Sequence, residues 1–122
     1  LDVLLIQLNS LKNNNSPYAD AGIEQTWEFA HPNNKKFTGP LNKFKEMIKG
    51  DSYKMLIDHE NHEVKQIFSN NEVVVFEVVI MDIDKKYFKF KWQVEKYLNN
   101  GPLENCWLTT VVSQPVPMGA SI

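Results

Sequence analysis

Apolar and polar residues change their spacing once along this chain, near residue 64. Leu1, Leu4, Leu5, Leu8 and Leu11 recur at three- and four-residue intervals, with Asp2, Gln7, Asn9 and Lys12 assigned to the other face. That spacing predicts an amphipathic helix. It ends at Asn13-Asn14-Asn15, whose short amides compete for backbone hydrogen bonds. Ser16-Pro17 reads as a new helix start, since Ser caps free N–H groups and Pro suits the first turn. Ala19, Ile23, Trp27 and Ala30 form the second stripe, closed by His31-Pro32. Asn33 to Lys36 reads as a loop. A third helix follows Thr38-Gly39-Pro40, with Leu41, Phe44, Met47 and Ile48 inward and Gly50 as its stop. Tyr53 to Ile57 is a short apolar link of about one helical turn.

From about Val64 the period falls to two. Val64, Gln66 and Phe68 alternate with Lys65, Ile67 and Ser69, and Asn70-Asn71 is a hairpin turn. Glu72 to Ile83 is a β-branched run, and Asp84-Lys85-Lys86 turns the chain again. In the next strand Phe88, Phe90, Trp92 and Val94 point one way, and Lys89, Lys91, Gln93 and Glu95 the other. A loop over Asn99-Asn100-Gly101-Pro102 leads to a last strand, Cys106 to Gln114, stopped by Pro115 and Pro117. The fold class expected is α+β: three N-terminal helices on a curved antiparallel sheet of about four strands. One domain spans 1–114, and 115–122 is a flexible tail.

The run from Val73 to Ile80 is apolar on both faces, with Glu77 the main exception. One face meets the helices, and a two-fold homodimer through the sheets covers the other.

Several stretches resemble a known family. Pro17-Tyr18-Ala19-Asp20-Ala21-Gly22-Ile23-Glu24, Trp27-Glu28-Phe29-Ala30, Phe44-Lys45, Ser52-Tyr53-Lys54-Met55-Leu56 and Cys106-Trp107-Leu108-Thr109 are similar to segments of the plant and algal branch, of unknown function, of the nuclear transport factor 2-like superfamily. The resemblance spans roughly Ser16 to Val112. It implies a conical α+β (cystatin-like) fold whose sheet wraps a cavity. The superfamily includes isomerases, dehydratases and non-catalytic binding modules, many of them dimeric. It brings no catalytic residue to this chain, and His31 stands where relatives often have Gly.

Composition narrows the function classes. Hydrophobic residues are 43% and charged residues 23% of the 122, as in folded globular domains. A net charge of -2 and a pI near 5.9 argue against nucleic acid as partner. No apolar run reaches membrane-spanning length, so no membrane partner is expected. Cys106 is the one cysteine, which suits a reducing, intracellular compartment, cytoplasm and plastid being indistinguishable. The chain opens on Leu1 rather than Met, so upstream sequence is expected, whether a targeting peptide or a trimmed end.

Candidate chemistry is sparse. Asp20 and Glu24, four apart on a helix, fit either an acid/base pair at a cavity mouth or two acids favoured by the helix N-terminus; the helix end accounts for both. Gly22 inside a helix implies close approach of another element. His59-Glu60-Asn61-His62 lacks the four-residue helical spacing of a zinc-protease pair and reads as a solvated loop or strand start. No metal and no cofactor are expected. Tyr18, Trp27, His31, Tyr53 and Trp92 are the candidates for a cavity wall, since ligand pockets favour aromatic walls with few polar groups. The function expected first is a module binding a small apolar ligand or a protein partner. A proton-transfer enzyme using His31, Asp20 or Tyr53 is second, and a transport adaptor third.

Overall fold

The computed structural model describes residues 1–120. Helix α1 (Asp2–Lys12) packs through Leu4, Leu8 and Leu11, all fully buried. Gln7 is buried with them, not on the polar face assigned to it. Its place is fixed by geometry: it lies three residues after Leu4 and four before Leu11, in the middle of the stripe.

Helix α2 (Ala21–Glu28) begins later than Ser16-Pro17 suggests. Ser16 does not cap it. Instead the Asn14 carbonyl accepts from the Gly22 N–H at 2.9 Å, and Asn14 Oδ1 accepts from the Ile23 N–H at 3.0 Å. The N-terminal donors of α2 are thus satisfied from the end of α1, and residues 16–20 form the turn between them. The close approach expected at Gly22 is to α1. A Cβ there would stand 2.0 Å from the Ser10 carbonyl oxygen.

The residues expected as a loop form helix α3 (Pro32–Thr38), so the helices among the described residues number four rather than three. Its start is local chemistry: Pro32 sits in the first turn, and His31 Nδ1 accepts from the Asn33 N–H at 3.1 Å. No residue of α3 is buried and Phe37 is 92% exposed, which is why no apolar stripe announced it. Helix α4 (Leu41–Ile48) buries Phe44 and Ile48. A single 3₁₀ turn, Lys54–Leu56, occupies the apolar link.

The sheet is antiparallel and curved, with strands β1 (Asn61–Ser69), β2 (Val73–Met81), β3 (Lys86–Lys96), β4 (Trp107–Val112) and β5 (Val116–Ala120). β1, β2 and β3 pair in sequence order, while β4 and β5 share the other edge of β3, one along each half. Five strands replace the four expected. The fifth comes from residues assigned to a tail, where Pro115 and Pro117 were read as stops. Proline lacks an N–H, but an outer strand tolerates that, and Pro117 sits opposite Phe88 in β5. The rest of that tail, 121–122, lies outside the described residues.

The inner face of the sheet carries the predicted row. Phe90, Trp92 and Val94 are buried, beside Phe76, Val78 and Ile80 of β2. At the first hairpin Asn70 Oδ1 accepts from the N–H groups of Glu72 and Val73. A bulge between Gln66 and Phe68 shifts the β1 register. Phe68 then pairs with Val75 on the outer face rather than continuing the row of Val64, and is 52% exposed. The free edge of β4 is covered by the chain between α2 and α3: the Thr109 N–H donates to Phe29 O and the His31 N–H to Thr109 O, both at 2.8 Å.

Candidate functional site

These packings leave a cavity of about 100 Å³ between the helices and the inner sheet face. Its walls are mostly apolar, with Leu11 from α1, Ala30, Phe44 and Ile48 from the helical layer, Leu56 from the 3₁₀ turn and Val112 from β4. Asn34, Thr38 and Tyr53 are half-buried and Met47 is exposed, so these four form its rim.

The inner end is polar but uncharged. Trp92 Nε1 donates to Gln7 Oε1 at 3.0 Å, and the Thr109 hydroxyl donates to the same oxygen at 2.6 Å. Gln7 Nε2 donates to Thr26 O at 3.0 Å, and the Thr26 hydroxyl donates to Gly22 O at 2.8 Å. Four elements meet here, since Gln7 lies on α1, Thr26 on α2, Trp92 on β3 and Thr109 on the adjacent β4. Buried polar groups joined in this way fix one another's orientation.

Of the five aromatic and histidine candidates, Tyr53 and Trp92 lie in the cavity wall. Tyr53 stacks near Phe90 and donates its hydroxyl to Val112 O at 3.0 Å. It is the one titratable side chain in the lining, and burial raises its phenol above the ordinary value. Trp27 is elsewhere. Thr26 and Ala30, four apart on the inward side, take the lining positions, and the Trp27 ring lies under the Lys35 ammonium at 4.1 Å. His31 does not end a helix near the cavity as expected. It caps the start of α3, with its ring 5.3 Å from that of Tyr97.

Tyr18 is 58% exposed on the outside of the helical layer, and the neighbouring Glu24 carboxylate raises its phenol pKa. Asp20 and Glu24 also stay outside the cavity. Asp20 pairs with Lys49 at 2.7 Å, which lowers the pKa of its carboxyl, and Glu24 stands 4.0 Å from Lys45. Asp20, the N-cap of α2, and Glu24 in its first turn thus face Lys49, the C-cap of α4, and Lys45 in its last turn, so the four charges link the start of one helix to the end of the other.

The segment His59 to His62, read as a solvated loop or strand start, does lead into β1 at Asn61, but it is not solvated: His59 is buried and His62 half-buried. His59 is 1% exposed. Its Nδ1 lies 2.7 Å from Leu56 O, and its Nε2 lies 2.8 Å from His62 Nδ1. A carbonyl oxygen only accepts, so His59 carries its proton on Nδ1, and His62 Nδ1–H donates to His59 Nε2. Burial pushes the pKa of His59 down to about 4, with Lys12 and His62 acting in the same direction and Asp58 against. His62 is lowered as well, chiefly by burial. Among the described residues no three His, Cys, Asp or Glu side chains gather, and no helix is long and apolar enough to cross a membrane.

The residues that sequence reasoning missed are Gln7, Thr26 and Thr109. The signal for Gln7 was present in its spacing from Leu4 and Leu11. Thr109 is placed by its pairing opposite Val94, which a single strand's pattern does not reveal. Compared with protein-family models, curated proteins and solved structures, the chain matches none.

Proposed function

We propose that this chain is a binding module of the nuclear transport factor 2-like kind, holding a small, mostly apolar, uncharged ligand between its helices and sheet. One observation carries this reading: an apolar cavity closes on a neutral hydrogen-bonded cluster, with no charged side chain in its lining. Ligand sites commonly combine apolar walls with a few placed polar groups. A proton-transfer enzyme needs a positioned acid or base within about 3 Å of its substrate. Burial raises the pKa of the one titratable lining group, Tyr53, so its phenol stays protonated, and it already donates to Val112 O. Binding is therefore favoured over catalysis.

The test is tryptophan emission across a library of small apolar compounds. Binders are expected to quench emission in the wild type and in Trp27→Phe, because Trp27 lies outside the wall. In Trp92→Phe the quenching should disappear. A library in which no compound quenches the wild type sinks the proposal.

A homodimer through the sheet is the second reading, supported by the outer face. Phe68, Val111 and Val116 are exposed there, while Lys65, Glu77 and Lys91 form a charged row across it. Exposed apolar groups of this kind mark interaction surfaces. Light scattering at micromolar concentration should report twice the monomer mass, and Phe68→Glu should return it to one. The monomer mass at every concentration tested rules the dimer out.

A further inference from the structure

The hydrogen-bond directions at the inner end of the cavity leave one donor of Gln7 unassigned. An indole N–H only donates, so the Gln7 atom facing Trp92 Nε1 at 3.0 Å is the oxygen. That oxygen also takes the Thr109 hydroxyl at 2.6 Å, which fills both of its lone pairs. The amide nitrogen therefore faces Thr26 O at 3.0 Å and gives it one of its two hydrogens. The neighbouring donors are all committed. Thr109 and Trp92 donate to Gln7, Thr26 to Gly22 O and Tyr53 to Val112 O. The second N–H of Gln7 makes no hydrogen bond among the described residues, although Gln7 is 1% exposed and lines the cavity. A buried donor left unpaired is costly, and Gln7 borders the cavity.

We propose that the cavity selects a compact neutral molecule carrying a carbonyl-type oxygen, which enters oxygen first and accepts the free N–H of Gln7 while its hydrocarbon part packs on Leu11, Phe44, Ile48 and Leu56. This rests on the binding reading above and narrows it to a ligand class. Charge is excluded because no lining side chain carries an opposite one. Size follows from volume. An apolar cavity of about 150 Å³ takes a benzene ring, so this one, at about 100 Å³, holds a body smaller than that. A branched or short aliphatic ketone fits, with longer substituents leaving past Met47 and Tyr53 at the rim.

The probes are butanone and 2-methylbut-1-ene, which share a skeleton and differ in the oxygen. The full chain, labelled with ¹⁵N, is titrated with each while the two side-chain amide protons of Gln7 and the Trp92 emission are followed. Butanone is expected to move one Gln7 amide proton downfield and to leave its Thr26-bonded twin in place, whereas the alkene moves neither. In Gln7→Met the ratio of butanone to alkene affinity should fall about fivefold, the net value of one hydrogen bond. The wild-type amide signals decide the matter if that variant does not fold. Should butanone perturb Trp92 while both Gln7 protons stay put, the ligand class is wrong and the binding role stands. Should neither probe, nor any library compound, perturb Trp92, the binding role falls and this inference with it.

Discussion

Trp92→Ala is expected to destabilise the protein by about 3–5 kcal/mol, the cost of truncating a large core aromatic. Trp92 is 1% exposed at the centre of the inner sheet face, opposite Phe76 on one side and Val112 on the other. Its removal enlarges a space that already holds a cavity, so collapse of the neighbours recovers little. It also takes one of two donors from Gln7 Oε1. Folded domains are stable by only about 5–15 kcal/mol, so the variant should sit close to its unfolding threshold. Trp92→Phe keeps most of the ring and loses the N–H, while Thr109 still satisfies Gln7; about 1 kcal/mol is expected. Urea unfolding with an unchanged slope measures both. A Trp92→Ala midpoint equal to that of the wild type would falsify the central position given to this residue.

Trp92 was legible in the sequence because strand β3 is half-buried. When one face is dry and the other wet, alternation of side chains is forced, and four apolar residues against Lys89, Lys91, Gln93 and Glu95 record it. Helices α1 and α4 were legible for the same reason at helical period. Helix α3 was not, because nothing in it is buried; its conformation comes from the Pro32 start and the His31 cap, which a stripe-based reading passes over. The start of α2 was misplaced because its donors are met by Asn14, whose carbonyl and side chain reach forward from the previous helix. Strand β5 depends on pairing with β3 from about thirty residues away along the chain, and such pairing leaves no local trace.

The site divides in the same way. Tyr53 was found from its aromatic character in the apolar link, and Trp92 from aromatic character and inward phase. Gln7 was lost because a polar residue was assigned outward by type rather than by position, although its spacing placed it inward. Tyr18 and His31 were included by type and Trp27 by its place in the second stripe, and all three leave the cavity by position, one helical step from Thr26 and Ala30 or beyond the helix ends. Asp20 and Glu24 look like chemistry in one helix and become structure once Lys45 and Lys49 are seen across from them. In each case the type of a side chain suggested a role, and its phase on the element decided it.

Acid is expected to unfold this protein through His59 before most carboxylates titrate. Its ring is neutral and buried, with Nδ1–H held by Leu56 O and Nε2 occupied by the Nδ1–H of His62. The charged groups that act on it are Lys12 from α1, Asp58 from the preceding turn and His62 from β1. A first proton goes to His62, whose imidazolium keeps donating through Nδ1. A proton on His59 Nε2 would set two N–H groups head to head, and burial already opposes the charge. The folded pKa of about 4 lies below the ordinary value of 6.5, so between these the unfolded chain binds the extra proton. The contribution of His59 is therefore complete above pH 6.5 and is lost as pH falls towards 4. Its full size is about 3 kcal/mol, from about 1.4 kcal/mol for each pH unit between the two values. The lowered pKa of His62 adds in the same direction. Asp20, held below the ordinary carboxylate range by Lys49, is lost only at lower pH. Urea midpoints at pH 7, 6, 5 and 4 should fall steeply for the wild type. His59→Asn keeps a donor for Leu56 O but does not titrate, so its midpoints should fall with pH by much less, from whatever value it has at pH 7. Parallel curves for the two proteins would show that the buried pair does not govern acid stability.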